Sequence, residues 1–158
     1  MIYKLVLGDW SKDGHGKTED FLFDCNYDVK LIRQAYKDSC KKLGVTFNQT
    51  EDYTGLNLKN NSRKMIWTKY RDDFICKESF DILNKADCFK NVKYTIEDEI
   101  YCVVDNLENC AKLIMNFISL SMPKDFAYQL LKNDNYEPIN GYWNSDLNVQ
   151  FGYGLFSC

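Results

Sequence analysis

The sequence predicts an α+β domain: a mostly antiparallel sheet with two principal helices packed on one face. Two pairs of short apolar runs, one pair toward each end of the 158-residue chain, read as β-hairpins, and two segments between them repeat apolar residues at helical spacing. Neither the 2 Pro nor the 8 Gly gather into a linker, so a single domain over residues 1–158 is expected. The composition agrees. With 45% hydrophobic residues, 10 Phe, 11 Tyr and 3 Trp, the chain can fill a core and is excluded from the disordered and Pro/Gly-rich classes. A domain of this size buries roughly 70% of the surface its unfolded chain exposes, without staples or a structural metal.

Tyr3 to Leu7 is a short apolar run, Gly8 to Gly16 is loop-rich, and Phe21-Leu-Phe23 resumes the apolar pattern, which predicts an opening hairpin with a long connection. The first principal helix follows. Val29, Ile32, Ala35, Tyr36, Cys40 and Leu43 recur at helical spacing, Asp28 or Asn26 can cap the start, and Gly44 can stop the end. Lys37, Lys41 and Lys42 favour its carbonyl end. Polar and turn residues from Val45 to Asn61 predict an irregular excursion, Lys64 to Tyr70 a strand, and Lys77 to Ala86 a short helix.

Ile100 to Val104 is β-branched and aromatic, as a strand requires, and Asp105-Asn-Leu-Glu108 then has the form of a cap with a glutamate three residues on. The second principal helix is expected from there. Leu107, Cys110, Ala111, Ile114, Met115 and Ile118 form its inner stripe. Leu113, Phe117 and Leu120 widen that stripe until the helix is apolar on most faces, and Pro123 prevents its continuation. Phe126, Tyr128 and Leu130 alternate after it, and a second alternating run from Leu147 to Phe156 completes a closing hairpin across the polar loop 133–144.

The balance of 20 basic and 23 acidic residues leaves a formal charge of −3, which excludes a general attraction to nucleic acid or to an anionic membrane. Seven cysteines, none in C-x-x-C spacing and most beside apolar residues, read as reduced core thiols. The start Met1-Ile-Tyr-Lys-Leu-Val-Leu-Gly is too short in apolar residues for a signal peptide, and later apolar stretches are interrupted. A soluble cytoplasmic protein is expected.

Charged groups, permissive glycines and the sole histidine converge in Gly8-Asp-Trp-Ser-Lys-Asp-Gly-His-Gly-Lys-Thr-Glu-Asp20. Gly16-Lys17-Thr18 matches the end of a phosphate loop, but the required first glycine falls at Ser11 and a strand follows where a helix is needed. No cofactor fingerprint is therefore present. A divalent cation, calcium or magnesium, fits better: Asp9, Ser11, Asp13 and Asp20 occupy positions one, three, five and twelve of an oxygen-ligand loop, with Gly14 at the turn. The flanks are strands rather than paired helices, position twelve is Asp in place of Glu, and Lys12 and Lys17 dilute the charge. His15, oriented by Asp9 or Asp13, is the candidate proton carrier. Against all three stands plain loop chemistry, in which Asp9, Ser11 and Asp13 hydrogen-bond the backbone and the glycines adopt positive φ.

At this motif, and at Phe151-Gly-Tyr-Gly-Leu-Phe156, the chain resembles small uncharacterised intracellular proteins of bacterial and viral genomes. The resemblance implies a single α/β domain and brings no activity or site residues with it.

Three further segments carry candidate chemistry. Lys59, Arg63, Lys64, Lys69 and Arg71, interleaved with Trp67 and Tyr70, have the mixture that grips phosphates and stacks bases, although acids flank them on both sides. Glu97, Asp98, Glu99, Asp105 and Glu108 form an acidic neighbourhood, better explained as a solvated approach to a capped helix than as paired catalytic carboxylates. Tyr136, Tyr142 and Trp143 stand among polar residues, as on recognition surfaces. The function expected from these features is a protein-recognition or regulatory binding module with a protein partner. The alternative is a metal- or histidine-dependent enzyme acting on a small or phosphorylated substrate through residues 9–20.

Overall fold

The structure, a computed structural model, describes residues 2–8, 18–47, 64–65 and 74–131. In chain order its elements are β1 (Ile2–Gly8), β2 (Thr18–Cys25), α1 (Val29–Leu43), β3 (Val45–Thr46), β4 (Lys64–Met65), β5 (Phe74–Cys76), α2 (Lys77–Lys85), β6 (Tyr94–Glu97), β7 (Tyr101–Val104), α3 (Leu107–Ser119) and β8 (Tyr128–Leu131). The chain is α+β. Its described strands do not join one sheet, however. They form an antiparallel sheet β1-β2-β8, a parallel ladder β3-β4, and a second antiparallel sheet β5-β7-β6.

The reason is α3, which is apolar on most of its faces and so is covered from several directions. Cys110, Ala111, Leu113, Ile114, Met115, Phe117 and Ile118 are each 1% exposed or less. The helix packs against α1, against β1 and β2 of the first sheet, and against β7 of the second. Phe117 receives Tyr36 and Phe47 edge-on, with ring centroids 5.7 and 5.0 Å away. That geometry sets positive ring edges against negative ring faces.

α1 begins and ends as its sequence predicts. The Asp28 carboxylate accepts the Lys30 N–H at 2.7 Å, and Gly44, at φ 68°, turns its N–H back to the Cys40 carbonyl at 2.9 Å. The cap of α3 is one residue later than expected. Asp105 still belongs to the ladder, its N–H donating to the Lys93 carbonyl, so Asn106 takes the cap and accepts the Asn109 N–H at 2.9 Å. At the other end the helix stops at Ser119, and Leu120 and Ser121 donate to carbonyls three residues back before Pro123.

The opening hairpin is present, with Ile2 opposite Asp24 and Gly8 opposite Thr18. Tyr128–Leu131 is a strand as expected, and it pairs with β2, Cys25 opposite Tyr128. Its expected hairpin partner, residues 147–156, lies outside the described residues, as does most of the expected strand 64–70. The Asn26 side chain fastens the approach to β8, donating to the Asp125 carbonyl at 2.8 Å and accepting the Ala127 N–H at 3.1 Å. The Tyr27 hydroxyl also donates to the Asp125 carboxylate. Among the described residues, no helix is long and apolar enough to cross a membrane.

Two substitutions test this account by denaturant unfolding. Phe117→Ala removes the ring that Tyr36 and Phe47 enclose and should cost about 3–5 kcal/mol. Gly44→Ala meets no atom within 4 Å, so its cost, about 1–2 kcal/mol, should come from the left-handed backbone alone, and Gly44→Asn should lose less.

Candidate functional site

Most sequence-predicted site residues fall outside the described residues: Asp9, Ser11, Asp13 and His15 of the first loop, Lys59, Arg63, Lys69 and Arg71 of the basic stretch with Trp67 and Tyr70, and Tyr136, Tyr142 and Trp143. Asp20 is on β2 opposite Val6, and Lys64 begins β4. Among the described residues, no group of three or more His, Cys, Asp or Glu side chains is placed to hold a metal. Two of the buried thiols, Cys88 and Cys102, are held in their neutral form. Burial pushes Cys88 and Cys102 up to about 12, with Asp87 adding to the effect at Cys88.

The acidic neighbourhood resolves into structure. Glu108 lies in the first turn of α3 and pairs with Lys112 one turn on, at 3.4 Å. Glu97, Asp98 and Glu99 belong to the hairpin that joins β6 to β7. Asp98 and Glu99 both take positive φ, 52° and 58°, and the Ile100 N–H donates to the Glu97 carbonyl at 3.1 Å. Such a turn favours Asn and Gly, neither of which is present, and the missing signal hid the hairpin from the sequence pattern.

This hairpin forms one margin of the second sheet. β7 is central, flanked by β5 and β6. The Asp105 N–H donates to the Lys93 carbonyl at 3.1 Å, which fixes the alternation of the antiparallel ladder. Lys93, Thr95 and Glu97 therefore direct their backbone groups toward β7, while Tyr94 and Ile96 direct theirs away from it. Among the described residues no strand lies on that outer side. All four β6 residues are exposed.

The side chains repeat the same asymmetry. Ile75, Cys102 and Ile96 form one row across the sheet on its core face; the first two are fully buried, whereas Ile96 is 49% exposed. In the neighbouring row Val104 is buried and Tyr94 is 38% exposed. The apolar layer thus continues to the margin and is left uncovered there. Beside it lies a hollow of about 260 Å³ between the hairpin and α2, lined by Phe80, Asp81, Lys77, Ile96 and Ile100 among others. Ile100, at its rim, is 56% exposed. Phe80, Phe89 and Tyr94 pack as three mutually contacting rings with centroids 4.8–5.2 Å apart, which seats the margin on an aromatic cluster.

The base of the hairpin is pinned by polar groups. The Asn109 side chain, on a buried residue, accepts the Lys93 N–H at 2.9 Å and donates to Asn106 at 3.1 Å. Asn116 donates to the carbonyls of Cys88 and Lys90, both at 2.8 Å, and accepts the Tyr128 hydroxyl at 3.1 Å. Sequence reasoning missed β6 although Tyr94-Thr-Ile-Glu97 alternates as a strand should; the charges that follow it drew the segment into the acidic neighbourhood instead.

Comparison of the chain with protein-family models, curated proteins and solved structures gives no match.

Replacing Asp98-Glu99 by Asn-Gly puts the residues that best tolerate left-handed backbone at both positions and should stabilise the fold by about 1 kcal/mol in denaturant unfolding, most of it from the glycine at position 99. The thiols give a pH dependence. Folding raises Cys88 and Cys102 above their ordinary 9.0, so their contribution is complete below pH 9 and is lost as pH rises toward 12. Unfolding free energy should fall there by up to about 1.4 kcal/mol per pH unit for each thiol, and Cys102→Ala should flatten the slope.

Proposed function

We propose that this protein is a recognition module that takes up an extended protein segment along β6, adding a strand to the sheet β5-β7-β6. The observation that carries the reading is the coincidence, on one strand, of outward backbone groups and uncovered apolar side chains at Tyr94 and Ile96. Backbone pairing supplies affinity in this mode, and alternate side chains supply specificity. The row Ile75–Cys102–Ile96 gives an incoming strand an apolar face to extend, and the hollow beside α2 gives one of its side chains a socket. A sheet margin of this kind invites unwanted pairing, which proteins commonly blunt by charge and by shortness. Here the strand has only 4 residues and charged neighbours, which limits what can pair with it.

An array of random extended peptides, followed by titration of binders into isotope-labelled protein, tests the reading. Binders should carry apolar residues at alternate positions and should shift the amides of Tyr94 to Glu97 first. Ile96→Lys should weaken them by about tenfold or more while leaving the circular dichroism spectrum unchanged, since losing an interface anchor commonly costs above 1 kcal/mol. Binders that shift amides elsewhere, or an array without binders, would count against it.

A further inference from the structure

We infer that the segment that pairs with β6 is the β6 of a second copy of this chain, so that two sheets join across a two-fold axis at Thr95. The inference rests on the recognition reading above and names its partner. It follows from the self-complementarity of Lys93-Tyr-Thr-Ile-Glu97 when this strand is set antiparallel to itself.

With the axis at Thr95, Tyr94 of each copy stands opposite Ile96 of the other. These are the two residues whose backbone N–H and C=O groups turn outward, so each Tyr94–Ile96 pair can exchange both of its hydrogen bonds. Thr95 meets its own counterpart as the non-hydrogen-bonded pair at the centre. The alternation required by an antiparallel ladder is therefore satisfied by the phase the monomer already has.

The side chains agree with the backbone. On the core face the exposed Tyr94 and Ile96 cover one another, continuing an apolar layer that otherwise ends at 49% exposure of Ile96. On the opposite face Lys93 stands across from Glu97, twice by symmetry, and both are exposed. Opposite charges directly across a ladder stabilise it and like charges oppose it. The polarity extends beyond the strand: Lys90 lies on the amino-terminal side, and Asp98 and Glu99 on the turn side. Antiparallel docking brings the basic end of each copy to the acidic end of the other.

A two-fold axis normal to the sheet keeps corresponding faces together, and it makes the contact isologous and closed, so pairing ends at two copies instead of propagating. Moving the axis to Ile96 would place Tyr94 against the Asp98 turn and Thr95 against Glu97. The Thr95 register alone matches apolar with apolar and acid with base across the strand.

Sedimentation of the full chain over a wide concentration range, at low and high salt, tests this. Wild-type protein should pass from monomer to dimer, more weakly at high salt. Lys93→Glu and Glu97→Lys should each weaken the dimer by about tenfold or more, because each places like charges across the ladder twice. An equimolar mixture of the two variants should associate as a heterodimer, and the doubly exchanged protein should recover. That rescue separates charge pairing from damage to the fold. A protein that stays monomeric throughout, or a dimer indifferent to both reversals, would overturn the inference. If the monomer's Tyr94 to Glu97 amides still respond to the selected peptides, the recognition reading survives and the second copy is excluded; with neither dimer nor response, both fall.

Discussion

The burial of the broad apolar surface of α3, which among its described side chains leaves only the stripe of Glu108, Lys112, Asn116 and Ser119 toward solvent, is the constraint on which the other elements depend. A helix that is apolar around most of its circumference cannot lie on a sheet with one side to water, because each uncovered side chain would forfeit about 1.5–3 kcal/mol of burial. The chain meets this requirement by surrounding the helix with α1, the first sheet and β7 of the second. Two small sheets with a shared helix follow from that demand more directly than one continuous sheet would.

Enclosing so apolar a helix brings polar groups inward, and they are satisfied locally. Tyr36 is buried, yet its hydroxyl accepts the Phe47 N–H at 3.2 Å and lies 3.4 Å from the Thr46 hydroxyl. Desolvation pushes that phenol far above its ordinary range, so it acts only as a neutral hydrogen-bonding group. Asn109 and Asn116 extend the same principle to the second sheet, tying α3 to Lys93 and to the Cys88–Lys90 turn. The hairpin is thereby anchored at its base, through backbone groups, while its outer margin is left uncovered. Rigidity at the base and exposure at the rim suit a surface that receives a strand without first having to order itself.

How much of this was legible in the sequence varied with the kind of signal. α1 was written in full: a cap at Asp28, an apolar stripe through Ile32, Tyr36 and Cys40, and Gly44 where a left-handed residue is needed. α3 was equally clear in its interior, but its cap was misplaced by one residue because Asp105 serves the ladder before the helix begins. β6 was illegible for two physical reasons. Its turn uses Asp98 and Glu99 in a conformation whose usual residues are Asn and Gly, and its core-facing residues remain exposed, so burial lends no contrast to the alternation. The chemistry-bearing residues of the first loop, Asp9, Ser11, Asp13 and His15, announce themselves by type and spacing, while the margin described here announces itself only once pairing and exposure are known.

Pairing along β6 requires that its outer side, which no strand covers among the described residues, be open in the single molecule. Amide hydrogen exchange at Tyr94 and Ile96, compared with Thr95 across a dilution series, tests it most directly. The Thr95 N–H, directed toward Val103, should be protected at every concentration, whereas Tyr94 and Ile96 should exchange rapidly when dilute and slow as the protein is concentrated. Tyr94 and Ile96 amides as protected as that of Thr95 at every dilution would contradict the account, because the strand would then already be covered within a single molecule.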